Sequence, residues 1–473
     1  MSTSVHANTP GPAVRFAHIL CRIALLALAG ILVGCTTYHP QPLPSSPQLL
    51  SDLKDFQVDR ARLAMPGLRR HHFDARDGLD MTEVAMLAVV NNPGLREARA
   101  QMNVAHAQAF AAGLLPDPQL SASEDRPTPA GPGLTTASSA GIGYELNAIM
   151  THGAERRAGL AEAKKADLDL LWREWQVIAR ARTLFVATVT DRKALSFLRD
   201  EQKLFRDRYE RMDQAMAQGN VTINDVSAYL SALQGVNEKI SSAERKLNDR
   251  THELDALLGV DPDARLVLDG GASSPSVPDA KAILKDLPQR IGRRPDLRAL
   301  RAGYAAQQQR VRAAILGQFP AINIAFNKAT DTSNVHTQGL SLSLVLPLFN
   351  GNRGAIAVAR ATRKEFYAQY QARLDSAYSD VHRLLANEAL LLRQRARSGK
   401  QLAQLQQAGV AARNAYRQGT IDALQYTNLE SARIDANLQS LNLDKLLWQQ
   451  WIGLESVIGS DIPEVSPSKG IVQ

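Results

Sequence analysis

A-I-N-I-A-F-N at Ala321–Asn327 and G-L-S-L-S-L-V-L-P at Gly339–Pro347 alternate large apolar residues with small polar ones. Successive side chains of a strand point to opposite faces. Ile322, Ile324 and Phe326 therefore share one face, and Asn323, Ala325 and Asn327 share the other. In the second stretch Leu340, Leu342, Leu344 and Leu346 face one way, and Ser341, Ser343 and Val345 face the other. Earlier in the chain Ala140, Ile142, Tyr144 and Leu146 alternate with Gly141, Gly143 and Glu145, preceded by a weaker strand at Gln119–Asp125. This alternation is the signature of a membrane β-barrel strand. A half-buried antiparallel sheet of a soluble protein would read the same way, so the rest of the chain has to decide.

Each strand pair stands between helices. Helix is expected from a cap at Thr82, with Glu83 in the first turn, to about Leu115, stopping at Pro116–Pro118. Its counterpart runs from Pro295 to Gln318 and stops at Pro320. After the strands come two far longer segments without proline, 153–218 and 351–418. In the second, Phe366, Tyr370, Leu374, Ala377, Val381, Leu384, Leu391, Leu402 and Leu405 recur at spacings of threes and fours, a coiled-coil pattern. Gly219 and Gly419 punctuate their ends, and returning helices are expected over 222–258 and 421–458. Asp225 and Asp422 lie near the N-termini of those returning helices, where short acidic residues are favoured.

The chain is one unit written twice. N-N-P-G-L-R-E-A-R-A at Asn91–Ala100 matches R-R-P-D-L-R-A-L-R-A at Arg293–Ala302. A-A-G-L-L-P ending at Pro116 matches A-I-L-G-Q-F-P ending at Pro320. M-A-Q-G at Met216–Gly219 matches Y-R-Q-G at Tyr416–Gly419, and the L-L-G ending at Gly259 matches the V-I-G ending at Gly459. Four landmarks in one order make a duplication. The chain divides into 1–34, a leader; 35–80, an N-terminal segment; 81–260 and 287–460, the repeats; 261–286, a linker; and 461–473, a tail.

The leader carries Arg15 and Arg22, no acid, and an apolar run over 23–33 too short to span a bilayer. It ends in L-V-G-C at Leu32–Cys35, which resembles the bacterial lipobox. That resemblance implies cleavage before Cys35 and acylation of its thiol, and Thr36, in place of an Asp, implies sorting to the outer membrane. No later run approaches the ~18 apolar residues of a transmembrane helix. An exported leader tips the strand reading toward a membrane barrel.

Composition closes other routes. Of 473 residues, 45% are hydrophobic and 22% charged, which is a folded composition. Cys21 and Cys35 are the two cysteines, so a disulfide scaffold, a cysteine nucleophile and a Cys-built metal site are excluded. The net charge of +8 falls to +6 once Arg15 and Arg22 leave with the leader. In an exported chain that surplus is no argument for nucleic acid. There is no G-x-S-x-G, H-E-x-x-H or Walker loop, so no enzyme and no cofactor is expected. His71-His72 is read as surface histidines, with no metal site.

Four strands cannot close a barrel, which takes about eight, and an open edge cannot face lipid. The chain must oligomerise to span a membrane.

In the order of its motifs the sequence resembles the TolC family of outer-membrane efflux proteins, in its lipoprotein branch. The carriers are the N-N-P and R-R-P helix starts, the L-P-D-P and F-P stops, L-P-L-F-N-G-N-R-G at Leu346–Gly354, and the turns at Gly219 and Gly419. The resemblance implies a mixed α and β membrane fold, internally duplicated. A long-helix coiled-coil α-barrel would join a transmembrane β-barrel completed by a homotrimer, four strands per chain, with a band formed by the linker and termini. It implies passive export of drugs or heavy-metal ions, fed by an inner-membrane pump and a periplasmic adaptor. The alternative is a non-channel periplasmic coiled-coil structural lipoprotein.

In the duct reading Asn323, Asn327, Ser341 and Ser343 face the lumen. The periplasmic tip holds the gate candidates Gly219, Asp225, Gly419, Asp422, Gln425 and Asn428. Gln425 and Asn428 stand where the family often carries acids, so an acidic gate and a neutral polar constriction both stay open. G-L-L-P-D-P-Q-L-S-A-S-E at Gly113–Glu124 is somewhat like the heavy-metal subgroup.

Overall fold

The computed structural model describes residues 38–52, 58–60, 63–128, 131–270 and 279–459. The leader, Cys35, the whole tail and part of the linker lie outside the described residues. The chain forms two units, Met1–Gln48 and Leu49–Gln473. Residues 38–48 of the first unit are exposed and without helix or strand.

The second unit holds the duplication. Its elements are α1 (Pro66–Arg70), α2 (Met81–Asn91), α3 (Pro93–Ala111), β1 (Gln119–Asp125), β2 (Ala137–Glu145), α4 (Leu146–Ala217), α5 (Ile223–Leu258), α6 (Ala280–Gly292), α7 (Pro295–Leu316), β3 (Ala321–Thr330), β4 (His336–Val345), α8 (Arg353–Arg417) and α9 (Ala423–Ile458). The 72 residues of α4 make it about 108 Å long at ~1.5 Å per residue. The 65 residues of α8 make it about 98 Å.

Three local expectations change. The cap of α2 is Asp80, not Thr82. Its carboxylate accepts from the Thr82 and Glu83 amides at 2.6 and 2.8 Å, while Glu83 accepts from the Asp80 amide at 2.9 Å. That reciprocal box engages three amides at once, whereas Thr82 has Ala85 three residues on and no side chain there to reciprocate. Second, the helix expected to run unbroken to Leu115 is broken at Asn92. Its φ of −56° and ψ of 126° are extended, as the residue before a proline prefers, and its side chain caps α3 through the Leu95 amide. Third, the first long helix begins at Leu146 rather than 153, so Leu146 leaves the strand. Within the segment between the repeats, residues 280–286 form the start of α6.

Side chains of the long helices interlock in separate clusters. Near the turns, Leu195, Leu198 and Phe205 of α4 pack on Tyr229, Leu233 and Val236 of α5 and on Tyr426 and Ile434 of α9. Higher up, α2 and the end of α5 close over Ala181, Leu184 and Phe185, and α6 closes over Ala377, Val381 and Leu384 of α8. The N-terminal segment is pinned by two parallel bridges, Leu50 to Val260 at the end of the first repeat and Leu79 to Leu268 in the linker. All four strands form one antiparallel sheet in the order β1-β2-β3-β4.

Candidate functional site

The sheet register decides which side chains share a face. Asn323 lies opposite Ser343, Ala325 opposite Ser341 and Asn327 opposite Gly339. Across the repeat junction Asn327 lies opposite Gly141, and Ala325 opposite Gly143. Ser121 and Ser123 of β1 continue this face beside Gly141 and Ser139. It is a polar face with its own bonds. Asn327 Nδ2 donates to Ser341 Oγ at 3.1 Å, and Ser123 and Ser139 join hydroxyl to hydroxyl at 2.9 Å. Gly141 leaves the room that the Asn327 amide fills, because a Cβ there would collide with Asn327 Oδ1. Asn323, Asn327, Ser341 and Ser343 are thus brought together on one face.

The opposite face is apolar and uncovered. Leu120, Ile142, Phe326, Leu340, Leu342 and Leu344 line it, and Leu120 and Leu340 are 84% and 74% exposed. In water such a contiguous patch is unfavourable at roughly 25 cal/mol per Å². β1 and β4 each leave one edge without a partner strand in the sheet. Among the described residues no helix is long and apolar enough to cross a membrane, and no group of three His, Cys, Asp or Glu could hold a metal ion. His71 is engaged with Asp80 at 2.9 Å.

The second region is the pair of helix turns. Gly219 and Gly419 sit at φ of 75° and 73°, in the left-handed region that glycine enters without cost. Both turns close in the same way: the Asn220 amide donates to the Ala215 carbonyl and the Thr420 amide to the Ala415 carbonyl, each at 2.9 Å. Asp225 accepts from the Thr222 amide and hydroxyl at 3.1 and 2.7 Å. Asp422 accepts from the Gln425 amide at 2.7 Å. Both acids are thus engaged in starting their own helices. The side chains of Gln425 and Asn428 are exposed.

Above the turns lies a group the sequence did not reveal. Tyr416 stacks on Tyr426 at 5.4 Å and meets Tyr229 edge-on at 6.2 Å. Burial, then the hydrogen bond with Tyr416, push the Tyr229 hydroxyl well above its ordinary pKa. Farther up, Arg433 Nη2 donates to Glu201 at 2.7 Å and to Glu430 at 3.0 Å. Burial acts to lower the Arg433 pKa, but Glu201 and Glu430 outweigh it and raise it. Glu201 and Arg433 are 232 residues apart, so helical spacing within one segment could not have paired them.

A family model described as outer membrane efflux protein matches residues 84–260 and 287–460. Among solved structures the chain is similar to CusC, with 18% identity over 90% of this chain and 99% of that one and a TM-score of 0.67. It is similar to the CmeC outer membrane channel of Campylobacter jejuni, with 15% identity over 92% and 96% and a TM-score of 0.72. It is also similar to the MtrE outer membrane channel of Neisseria gonorrhoeae in its open state, with 17% identity over 90% and 98% and a TM-score of 0.65. At these identities the likeness is one of fold. No curated protein matches.

Proposed function

The chain belongs to the outer membrane efflux protein family, and from that premise we propose that it works as a homotrimeric, lipid-anchored duct of a tripartite efflux system. Its polar sheet face lines the lumen and its apolar face meets lipid. The observation that carries this is the two-faced sheet with unpaired edges at β1 and β4. An open edge is not tolerated in lipid. Copies joined head to tail, β4 of one to β1 of the next, remove every edge once the ring closes. Three copies of four strands give twelve, above the minimum of about eight.

In this reading Asn323, Asn327, Ser341 and Ser343 are lumen-facing. The long helices extend into the periplasm and end at the Gly219 and Gly419 turns, where a periplasmic adaptor and an inner-membrane pump deliver cargo. Asp225 and Asp422 are already held as caps, which favours a neutral polar constriction built from Gln425 and Asn428. The duct carries out no bond chemistry, and its cargo is small toxic compounds, drugs or heavy-metal ions. Cys35 bears the lipid.

The test is reconstitution of the mature protein in planar bilayers. Ser341→Lys and Ser343→Lys should lower cation conductance several-fold, because each adds three positive charges to one ring of a trimer. Unchanged ion flow would sink the lumen assignment. The intact mass of the same preparation should show acyl chains that Cys35→Ser removes; an unacylated wild type would sink the anchor. Deleting the gene and challenging with metal salts, dyes and antibiotics sorts the cargo. Sensitivity to metals alone selects metal export, and full tolerance of all of them counts against toxic-compound export.

A further inference from the structure

The register sorts the apolar side of the sheet into rows. Tyr144, Ile324 and Leu342 stand in one row, and Ile142, Phe326 and Leu340 in the next, about 7 Å farther along the strands at ~3.4 Å per residue. The apolar run then stops. Two residues on, Lys328 lies between Ala140 and Gln338, and the row after it holds Ser138, Thr330 and His336. Below the sheet the exposed apolar series runs on through Leu346, Leu348 and Phe349. The Lys328 row therefore marks one edge of the apolar band and not its middle. The long helices leave from the other edge and, in the channel reading, extend into the periplasm. Lys328 then stands at the outer leaflet.

A cation on that face calls for a counter-charge. Lys328 is exposed and makes no ion pair among the described residues. The other charged residue on this side of the strands, Glu124, is held by Arg126 at 3.0 Å. β3 is an inner strand, flanked by β2 and β4 of its own chain, so ring closure brings no strand of a second copy beside Lys328. Its opposite neighbours, Ala140 and Gln338, and its diagonal ones, Ser138 and His336, carry no carboxylate. Several of them are donors. The Gln338 amide stands directly opposite. His336 Nδ1 and Thr330 Oγ1 lie 2.8 Å apart; with the hydroxyl donating, Nε2 keeps its proton and adds a second donor. Ala140, and Ala122 beyond it, end at Cβ and leave the surface beside the lysine stem low. An ammonium with two neutral donors and no acid suits a phosphate, whose oxygens only accept.

We propose that Lys328, Gln338 and His336 form a binding site for the phosphate of an outer-leaflet glycolipid, one site per chain. The inference rests on the channel reading, which sets this face against lipid. The ammonium meets the phosphate charge, and the Gln338 amide and His336 Nε2 donate to its other oxygens. The acyl chains lie along the apolar rows over Phe326 and Leu340. The lysine stem stays on apolar surface while its head reaches the headgroup level. A lysine on the lipid side of a barrel costs least at the interface, and a phosphate partner turns that tolerated charge into a point of attachment.

Native mass spectrometry of the full mature protein, released from detergent, counts bound lipid. The probes are bisphosphorylated lipid A and the same lipid with both phosphates removed. The wild type should retain the phosphorylated form several-fold better. Lys328→Gln should cut that retention several-fold, and Lys328→Arg should keep it. Lys364→Gln, at an exposed position of α8, should leave it unchanged. Because Lys328→Gln takes a charge off a lipid-facing surface, it should assemble as the wild type does. Equal retention of the two lipids by the wild type, wild-type retention in Lys328→Gln, or an equal loss in Lys364→Gln would each overturn the site. Planar-bilayer conductance of the same wild-type sample separates the two readings. A conducting wild type whose lipid retention is indifferent to Lys328 removes the site alone; a silent wild type overturns the channel reading on which the site rests.

Discussion

The two repeats close on themselves at the same place with different chemistry. In the first, Asn91 and Asn92 reach the C-terminus of α5. Asn91 Nδ2 donates to the Leu258 and Gly259 carbonyls at 2.7 and 3.0 Å, and Asn92 Nδ2 to the Leu257 carbonyl at 2.6 Å. In the second, Arg294 takes that position and donates to the Val457 carbonyl at 3.2 Å, at the end of α9. The last carbonyls of a helix lack partners within it, and in both repeats the residue before the proline supplies one. The N-N-P and R-R-P motifs are thus clasps that tie the returning helix to the start of the repeat. An amide does this alone. A buried guanidinium needs its charge met, and Asp296 meets it at 2.8 Å, with Arg373 on the same carboxylate and the Trp172 ring 5.0 Å from Arg294. Burial pushes the Asp296 carboxyl up, but Arg294 and then Arg373 outweigh it and hold its pKa below the usual value. The lesson is that duplication preserved a backbone need and left the side chain free to change.

The largest loss of stability is expected at the first clasp. Gly259 has a φ of 64°, and a Cβ there would lie 2.7 Å from the Asn91 carbonyl oxygen. Gly219 has a φ of 75° but open space around it. Gly259→Ala should cost about 3–4 kcal/mol, combining left-handed strain with overpacking, and Gly219→Ala about 1 kcal/mol from strain alone. Thermal unfolding of the detergent-solubilised protein compares them; equal losses would show that the close approach does not matter. Next, Arg294→Met should cost about 2–3 kcal/mol, because Asp296 stays buried with Arg373 alone. Asn92→Ala should cost about 1–2 kcal/mol, from one cap and one buried hydrogen bond. A larger loss at Asn92 would reverse the reading that the charged clasp is the more demanding one.

The smallest effect has the opposite sign. Asp255 in the first repeat and Glu455 in the second stand at matching places, four residues before Gly259 and Gly459. Glu455 is paired with Arg182. Among the described residues Asp255, 3% exposed, has only His252 at 4.0 Å, and burial pushes its pKa from 3.8 to about 6. The folded state therefore binds this proton more tightly than the unfolded chain does. Stability from this group is fully present below the unfolded value of 3.8 and is lost as pH rises through the folded value of about 6. Asp255→Asn should raise stability by about 1 kcal/mol at neutral pH and flatten that decline. Unfolding scans from about pH 4 to about pH 8 check it; an unchanged slope would mean Asp255 is not the group responsible.

Much of this was legible from order alone. The duplication, the long helices, the glycine turns and the two faces of β3 and β4 each follow from periodicity or from residues whose backbone needs are local. Asn323, Asn327, Ser341 and Ser343 were placed together because alternation along a strand fixes facing before any partner is known. Where reading failed, a choice between near neighbours was at stake. Asp80 or Thr82 could each have capped α2, and only the reciprocal bond with Glu83 separates them.

What tertiary structure alone decided is the traffic between segments far apart in sequence. Asn91 and Asn92 looked like a helix start, and they are also clasps on a helix end 165 or more residues away. The packing of α4 against α9 brings Arg433 to Glu201 and buries the Glu201 and Glu430 carboxylates. Local sequence sets which face a side chain takes, because strand and helix periods are fixed by backbone geometry. It does not set which distant face arrives opposite. That depends on how two long helices choose their register, and the register is settled only when apolar contacts and charges along the whole seam are satisfied together.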